Sequence, residues 1–204
     1  RTASPSVAGK PQVGVLAYQG DVREHAEMLA SLGADVALVR HPAELARVDG
    51  LVIPGGESSV IDKLTRMFGM LEPLRERIAA GMPAYGTCAG LIMLADRIEG
   101  AAPGQQTIGG LDVTVQRNAF GPQVESFETL IDAPALGGPP LHATFIRAPI
   151  VAALGPAATA ILTLDDGRIV GVGQGALMGT SFHPEVSGEP RLHERFLARV
   201  RARA

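Results

Sequence analysis

Short apolar runs alternate with helical patterns through the first half of the chain, and this rhythm restricts the folds that the chain can adopt. Four runs have the length and composition of buried strands, namely VGVLAY (13–18), ADVALV (34–39), LVIP (51–54) and PAYG (83–86). Between them apolar residues recur at helical spacing, and Gly33 and Gly81 end two of the predicted helices. Alternation of this kind is typical of a parallel sheet with helices on both faces.

Capping patterns predict where the helices begin. Asp21, with Glu24 three residues later, has the arrangement of a capping box in front of the first helix. Ser59 and Asp62 predict a similar start for a later helix. Two more helices are predicted over residues 71–80 and 89–97.

The second half carries short strand-like segments between glycine, proline and Asp-Gly turns: LDVTVQR, SFETLID, LHATFIR, ATAILTL, RIVGVGQ and ALMGTSF. Asp166-Gly167 predicts a hairpin, and apolar residues at helical spacing predict a closing helix. We expect one α/β domain over residues 12–204, a three-layer sandwich with a mostly parallel central sheet and added β-hairpins. Residues 1–11 are expected to form a flexible extension outside this domain.

Composition and charge exclude several classes of protein. The 204 residues carry 18 Lys and Arg against 21 Asp and Glu, without a long block of either sign, so no nucleic-acid partner is expected. No apolar run approaches the roughly 18 residues of a membrane span, and the polar start lacks the apolar stretch of a signal peptide, so no membrane association is expected. The single cysteine excludes an internal disulfide and favours a reducing, cytoplasmic location.

That cysteine, Cys88, lies in GTCAG, directly after a predicted strand and before a predicted helix. The pattern G-x-C-x-G has the form of a nucleophile elbow, in which flanking glycines allow a strained turn that raises the nucleophile out of the sheet. Amides at the start of the following helix would favour the reactive thiolate and stabilise an oxyanion. Taken alone, however, a lone cysteine is more often a small buried apolar residue.

A base for such a nucleophile is offered by SFHPE (181–185), at the end of another apolar run. His183 and Glu185 are two residues apart, so in an extended segment both side chains point to the same side. A nucleophilic cysteine needs a base, and the base needs an orienting carboxylate. The other histidines are weaker candidates, and a surface or packing role is expected for His25 and His193. Because paired-ligand spacings such as H-x-x-x-H are lacking, no metal site is expected.

The segment PGGES (54–58) also follows a predicted strand. Gly55 and Gly56 permit close backbone approach and could present an N–H to an oxyanion, while Glu57 could bind a substrate ammonium group. A phosphate loop is not expected because the G-K-[ST] sequence is missing. On its own the segment could equally be a simple turn.

Together, the elbow, the H-x-E pair roughly a hundred residues later and the upstream Gly-Gly loop resemble a class I, triad-type glutamine amidotransferase. Six segments in order narrow the resemblance to the glutaminase subunit of pyridoxal 5′-phosphate synthase, the PdxT/SNO family: YQGDVREH, PGGESS, GTCAGLIML, QRNAFGPQVESFE, FIRAP and SFHPE. The resemblance runs from about Val13 to the final helix. It implies the flavodoxin-like fold of the class I glutamine amidotransferases.

The resemblance implies a mechanism and a set of site residues. Cys88 would attack the side-chain amide of L-glutamine, and His183, oriented by Glu185, would act as base and then protonate the departing ammonia. Water would hydrolyse the γ-glutamyl thioester to glutamate. The amides of Gly56 and Ala89 are the expected oxyanion hole. The expected glutamine-binding residues are Gly55, Gly56, Glu57, Arg117, Ile146 and Arg147.

The resemblance also implies a partner. Ammonia would pass through a tunnel into a (β/α)₈-barrel synthase subunit that makes pyridoxal 5′-phosphate, in an assembly of twelve copies of each subunit. The glutaminase itself would need no bound cofactor. Two departures, Tyr18 where the family usually has leucine before Gln-Gly and Pro122 where it usually has a basic residue, put partner affinity or activation in doubt.

Three alternatives stay open. The chain could supply ammonia to a different synthase, since the triad is common to the class I amidotransferases. It could be a cysteine peptidase of the same superfamily. A catalytically silent regulatory subunit is a third possibility, although all three triad members are present.

Overall fold

The computed structural model describes residues 9–120 and 126–203 of the chain. The first strand begins at Gln12. Residues 1–8 of the extension predicted over residues 1–11 lie outside the described residues, so the proposed domain boundary stays a prediction. Pro122 also lies outside them.

Strands and helices alternate through the first half, as the sequence predicts. These elements are β1 (Gln12–Leu16), α1 (Val22–Ser31), β2 (Asp35–Val39), α2 (Pro42–Leu45), β3 (Gly50–Ile53), α3 (Ser58–Met67), α4 (Leu71–Ala79), β4 (Ala84–Thr87) and α5 (Ala89–Leu94). Apart from α2, a single turn, they correspond to the predicted strands and helices.

The second half is mostly strand. Its elements are β5 (Ala95–Glu99), β6 (Leu111–Gln116), β7 (Ser126–Ile131), β8 (Leu141–Ile146), β9 (Ile150–Leu154), β10 (Thr159–Thr163), β11 (Ile169–Gln174), β12 (Leu177–Thr180), α6 (Pro184–Ser187) and α7 (Arg191–Arg203). The predicted hairpin at Asp166-Gly167 is confirmed, since β10 and β11 pair antiparallel on either side of it.

The large sheet of the described residues runs in the order β2-β1-β3-β4-β12-β11-β9-β6-β5, with β10 added against β11. From β2 to β12 all neighbours are parallel. Beyond β12 the pairings with β11 and β9 are antiparallel, and β7 and β8 form a separate two-stranded sheet. The predicted α/β fold is therefore confirmed, and its parallel half carries an antiparallel extension.

Helices cover both faces of the parallel half. In β3, Leu51 and Ile53 belong to a buried cluster with residues of α3, α4 and α5. Val52, between them, belongs to a second cluster with residues of α1 and α7. Because successive side chains of a strand point to opposite faces, these clusters are the two sides of the sheet. This is the helix–sheet–helix sandwich that the sequence predicts.

The helix predicted over residues 89–97 is wrong in its second part. α5 ends at Leu94, and at Ala95 the backbone is already extended, with ψ of 141°. The following residues form β5, which pairs in parallel with β6. Every residue of α5 is buried, whereas most of β5 is half-buried or exposed. Residues 95–99 are therefore a strand because they pair with β6 at the edge of the sheet, and not because of their local sequence pattern.

Both predicted helix caps also differ from the structure. Asp21 stands at the N-cap of α1, but its side chain makes no capping hydrogen bond. α3 begins at Ser58, and the Glu57 carboxylate accepts from the amide of Val60 at 2.9 Å. The predicted cap of α1 therefore does not form, and α3 is capped by Glu57 rather than by the predicted Ser59.

Membrane insertion was not expected from the sequence. Within residues 9–120 and 126–203, every helix is too short or too polar to cross a bilayer.

Candidate active site

Cys88 stands at the carboxyl end of β4, where the chain turns sharply into α5. Its φ of 53° and ψ of −108° lie in a region that residues other than glycine rarely adopt. A Cβ on Gly86 would lie 2.3 Å from the carbonyl oxygen of Gly90, and a Cβ on Gly90 would lie 1.9 Å from that of Ile53. The two flanking glycines therefore permit the tight packing of α5 on β4 and β3 that the predicted elbow requires.

The segment after β12 arrives beside this elbow because β12 is the parallel neighbour of β4. Thr180 pairs with Thr87, and the carbonyl of Thr180 accepts from the amide of Cys88 at 2.8 Å. A few residues further on, the buried imidazole of His183 faces the Cys88 thiol. The thiol also lies 3.8 Å from the carbonyl oxygen of Ile146. Two distant segments of the sequence thus place a thiol and an imidazole together.

The PGGES loop closes against the same pair. A Cβ on Gly55 would lie 2.7 Å from Cε1 of His183 and 3.5 Å from Cβ of Cys88. Any larger residue at position 55 would therefore push the imidazole away from the thiol. The next residue, Gly56, has φ of +141° and packs against the side chain of Gln19. Close backbone approach, predicted for both glycines, is what the structure shows.

The imidazole of His183 has two carboxylates on one nitrogen. Its Nδ1 lies 2.8 Å from Oε1 of Glu185 and 3.2 Å from Oδ2 of Asp21. Burial by itself would lower the pKa of this imidazole, but the interactions with Asp21, Cys88 and Glu185 outweigh burial and raise the pKa to about 12. His183 is therefore held as an imidazolium beside the thiol, an arrangement that favours the thiolate.

Glu185 is the buried member of this group. Burial raises the pKa of its carboxyl to about 6, against the opposing effect of the hydrogen bond with His183. Its Oε1 accepts from Nδ1 of His183, while Oε2 has no hydrogen-bond partner among the described residues. The predicted pair H-x-E thus comes together, although the Pro184-Glu185 segment is the first turn of α6 rather than extended.

Asp21 is a site residue that the sequence reasoning assigned to another role. The predicted capping box with Glu24 does not form, and the carboxylate of Asp21 turns to His183 instead. The hydrogen bond to His183 holds the pKa of Asp21 below its usual range. Its neighbour Gly20 explains the placement, since a Cβ there would lie 1.8 Å from the carbonyl oxygen of Gly55. The one feature of the sequence that could have indicated a site role for Asp21 is its position after the carboxyl end of β1, since sites in parallel sheets form at the carboxyl ends of strands.

A pair of histidines lies on the other side of Glu185. His25 of α1 and His193 of α7 are fully buried, and Nδ1 of His25 lies 2.8 Å from Nε2 of His193. Nε2 of His25 lies 3.1 Å from Oγ1 of Thr87 and 3.5 Å from Oε1 of Glu185. Of the two roles expected for these histidines, surface or packing, the surface role is wrong and the buried one is observed.

Both members of this pair are neutral. Burial lowers the pKa of His193 to about 4, and burial together with the neighbouring His193 lowers that of His25 well below its usual value. An ionised Glu185 can only accept, which assigns the proton of His25 to Nε2. Nδ1 of His25 then accepts from Nε2 of His193, and Nδ1 of His193, which has no partner among the described residues, carries a lone pair.

Glu57 and Arg117 form an ion pair at the mouth of the site. Nη2 of Arg117 lies 2.7 Å from Oε1 of Glu57, and Nη1 donates to the side chain of Gln105 at 2.9 Å. Burial would raise the pKa of Glu57, but hydrogen bonds from Ser59 and Val60 outweigh it and keep the pKa below its usual value. The carboxylate is therefore ionised and fixed in place, with one face toward the pocket.

A cavity of about 410 Å³ opens above the thiol. Its lining residues are Gly56, Glu57, Ser58, Cys88, Ala89, Ile92, Arg117, Asn118 and Arg147. Six of the ten predicted site residues are in this lining. Three others adjoin it: Gly55 and His183 through their contacts with Cys88, and Ile146 through its carbonyl oxygen. Glu185 lies behind His183.

Backbone strain is concentrated around this cavity. Among the described residues, the non-glycine residues with positive φ are Cys88, Asn118 and Arg147, and all three line the cavity. Residues in this region of φ and ψ cost of order 1–3 kcal/mol each and persist where the surrounding structure holds them. Their location supports a functional rather than a purely structural role for the cavity.

The oxygens and nitrogen of Asp21, His183 and Glu185 lie within 4.8 Å of one another, a spacing that could also hold a metal ion. However, the 2.8 Å between Nδ1 of His183 and Oε1 of Glu185 is the length of a charge-assisted hydrogen bond. The expected lack of a metal site stays a prediction.

Comparison with known proteins places these features in a family. The SNO glutamine amidotransferase family matches residues 15–202. The chain is 64% identical over 190 residues to the pyridoxal 5′-phosphate synthase subunit PdxT of Clavibacter sepedonicus, covering 93% of this chain and 91% of that protein. It is 61% identical over 197 residues to the same subunit of Leifsonia xyli subsp. xyli, covering 97% and 100%. A crystal structure of a glutamine amidotransferase superposes with a TM-score of 0.85 at 45% identity, covering 92% of this chain and 98% of the other. The chain belongs to the SNO glutamine amidotransferase family.

Proposed function

We propose that this chain hydrolyses L-glutamine to glutamate and ammonia as the glutaminase subunit of a pyridoxal 5′-phosphate synthase. The observation that carries the proposal is the assembly of Cys88, His183 and Glu185 at the floor of a cavity lined by a fixed acid and two arginines. A nucleophile, a base and an orienting carboxylate are the parts that acyl transfer requires. Family membership and the names of the relatives support the same activity.

In the first step Cys88 attacks the side-chain carbonyl carbon of glutamine. The sulfur attacks as the thiolate, with its charge balanced by the neighbouring imidazolium of His183. Collapse of the tetrahedral intermediate breaks the carbon–nitrogen bond. His183 gives its proton to the leaving nitrogen, so that ammonia departs and a γ-glutamyl thioester remains.

In the second step water attacks the thioester. Neutral His183 removes a proton from that water, the carbon–sulfur bond breaks, and glutamate leaves with the imidazolium–thiolate pair restored. Glu185 stabilises the imidazolium in both steps by accepting from its Nδ1. The cycle needs water and glutamine alone, and no cofactor enters it.

The negative oxygen of each intermediate needs hydrogen-bond donors. We assign this task to the amides of Gly56 and Ala89, because both residues line the cavity together with Cys88. The side chain of Gln19 accepts from the amide of Glu57 at 2.6 Å, which fixes the backbone directly after Gly56. We infer that this hydrogen bond helps to hold the oxyanion hole in place.

Free glutamine is a zwitterion, so its α-groups need complementary charges. Glu57 is an acceptor for the α-ammonium group, and Arg117 and Arg147 are cations for the α-carboxylate. Gly55 leaves room for the imidazole of His183 beside the thiol, and Ile146 adds its carbonyl oxygen there. The Glu57–Arg117 ion pair is therefore expected to loosen when glutamine binds between the two charges.

The ammonia requires an acceptor. The relatives are named as subunits of pyridoxal 5′-phosphate synthase, so we propose that a synthase subunit receives ammonia from this chain. The finer expectations, a (β/α)₈-barrel partner, an assembly of twelve copies of each subunit and a cytoplasmic location, rest on the family resemblance.

The test is a glutaminase assay of the purified chain with and without its synthase subunit. We expect glutamate release that increases when the synthase is added, and a loss of at least about a thousandfold in kcat for Cys88→Ala. The control is binding: Cys88→Ala should still associate with the synthase, because Cys88 is buried beneath the cavity. Full activity of Cys88→Ala would refute the assigned nucleophile, and peptide cleavage without glutamine turnover would favour a peptidase.

A further inference from the structure

Asp21 lies at the start of α1 and contacts the same ring nitrogen of the base histidine as Glu185 does. We propose that Asp21 is a positioning residue for glutamine hydrolysis, a second carboxylate that shares the Nδ1–H of His183 with Glu185. Through this shared hydrogen bond it keeps the imidazolium in place over Cys88 when Glu185 loses its charge. The inference rests on the proposed function for its role in turnover, but its effect on the thiol is measurable without glutamine.

The geometry shows one donor between two acceptors. Nδ1 of His183 lies 2.8 Å from Oε1 of Glu185 and 3.2 Å from Oδ2 of Asp21. The two carboxylates come from opposite ends of the chain, Asp21 from the turn after β1 and Glu185 from α6. Nδ1 donates to Glu185 at the shorter distance, and the Asp21 carboxylate forms an ion pair with the same nitrogen, so the two carboxylates together limit the rotation of the ring.

A capping hydrogen bond does not account for the orientation of the Asp21 side chain. An aspartate at a helix N-cap normally accepts from an amide of the first turn, which stabilises the helix by about 1 kcal/mol. Here no such hydrogen bond forms. Gly20 presses against the carbonyl of Gly55, so the turn is fixed to the PGGES loop and directs Asp21 toward His183. The carboxylate of Asp21 therefore contacts His183 instead of capping α1.

The surroundings give the two carboxylates different properties. Glu185 is fully buried at its side chain, whereas the side chain of Asp21 is 34% exposed. Burial raises the pKa of Glu185 to about 6, and the hydrogen bond to His183 lowers that of Asp21. In mildly acidic solution Glu185 therefore gains a proton while Asp21 stays ionised. The imidazolium then retains one anionic partner.

The titratable groups that face His183 come from three elements. α1 contributes Asp21 at its start and the neutral His25, α6 contributes Glu185, and the elbow before α5 contributes Cys88. Of these, Asp21 is the carboxylate that solvent can reach. Its charge is therefore the part of this group that a substitution can remove with little effect on packing.

The first experiment follows the alkylation of the single cysteine by iodoacetamide as a function of pH, with the chain alone. Because the charge of Asp21 stabilises the imidazolium, Asp21→Asn should lower the pH at which His183 loses its proton, and the alkaline limb of the rate profile should move to lower pH by about one unit. Asp21→Ser should do the same, and serine can still cap α1 if the asparagine variant folds poorly. Glu24→Gln is the matched control, with the same charge change on the same helix, and should leave the profile unchanged.

The second experiment measures glutamine turnover in a double-mutant cycle at pH 7.5. Because each carboxylate supports the imidazolium without the other, Asp21→Asn alone should lower kcat by about threefold with KM unchanged. Asp21→Asn combined with Glu185→Gln should lose at least tenfold more than the product of the single effects. Asp21→Glu should restore part of the loss.

A merely structural role gives a different pattern. If the alkylation profile of Asp21→Asn coincides with that of Glu24→Gln, or if the double variant shows only the product of the single effects, the proposal is wrong. Absence of glutamine turnover in the unmodified protein would count against the proposed function and leave the alkylation result to decide the role of Asp21.

Discussion

His183 lies on one side of Glu185, and the pair of His25 and His193 lies on the other. All three imidazoles are buried, but the pKa of His183 is raised whereas the pKa values of the pair are lowered. On the cavity side, His183 is 5% exposed and interacts with two carboxylates and a thiol, and its pKa is raised to about 12. On the inner side, His25 and His193 have no exposed surface and hydrogen-bond to each other, and their pKa values are lowered. The pairing partner, rather than burial, decides which imidazole carries a charge.

The difference separates a chemical role from a structural one within a single hydrogen-bonded group. The charged His183 can give and take a proton beside the thiol. The neutral pair joins α1 to α7 and supports Glu185 from behind, through His25. The ring of Tyr85 packs edge-on against His193, and its hydroxyl lies 2.7 Å from Oγ1 of Thr180 in β12, so the inner pair is enclosed by the core.

The largest expected effect is a difference in kcat between two variants, one with glutamine in place of His183 and the other with glutamine in place of His193. His183→Gln removes the base and should lower kcat for glutamine hydrolysis by about a thousandfold, within the range for general acid–base catalysis. His193→Gln keeps an N–H that can donate to His25, so its kcat should fall by less than about tenfold. Steady-state kinetics with the synthase present measures both.

A matched variant sharpens this comparison. His193→Leu has a similar volume to His193→Gln but no donor, and should reduce both the free energy of unfolding and kcat by more than the glutamine variant does. Equal losses of kcat for His183→Gln and His193→Gln would contradict the division between a charged and a neutral side.

The next effect is on stability in acid. The folded-state pKa of His193, about 4, is below the usual value of 6.5, so the unfolded chain binds a proton that the folded protein does not. Stability from this group is complete above pH 6.5 and is lost as the pH falls toward 4, by about 3 kcal/mol. His183 has the opposite sign, since stability from a raised pKa is complete below pH 6.5 and is lost only as the pH rises.

Urea unfolding of the unmodified protein and of His193→Gln from pH 7.5 to pH 4 measures this term. The difference in the free energy of unfolding between the two proteins should shrink or reverse as the pH falls, because the variant has no imidazole to protonate at this position. A difference that is constant across this range would show that His193 is not held neutral.

Much of the fold follows from the sequence because it depends on local periodicity. The buried strands β1 to β4 and the helices between them were recognisable from apolar runs and helical spacing. The extent of α5 was not, since residues 95–99 form a strand only through pairing with β6. Strand β9 was also missed, because its pairing with β6 and β11 is a property of the sheet.

The site shows the same division. Cys88, His183 and Glu185 were identified because they follow strand ends in the patterns G-x-C-x-G and H-x-E, which are typical of a nucleophile and its base, and the structure brings the three together. Asp21 was missed because its spacing to Glu24 matched a common capping pattern. His25 was assigned to surface or packing because its partners, Thr87, Glu185 and His193, are distant in sequence.

The most direct test of the opposite charge states is the ¹⁵N NMR spectrum of the histidine-labelled protein, with signals assigned through the His25→Gln, His183→Gln and His193→Gln variants. At pH 7.5 both ring nitrogens of His183 should carry protons, whereas His25 and His193 should each carry one, on Nε2. Between pH 5 and pH 9 the signals of His183 should keep this state. A neutral His183 at pH 7.5, or a doubly protonated His25 or His193, would contradict the account.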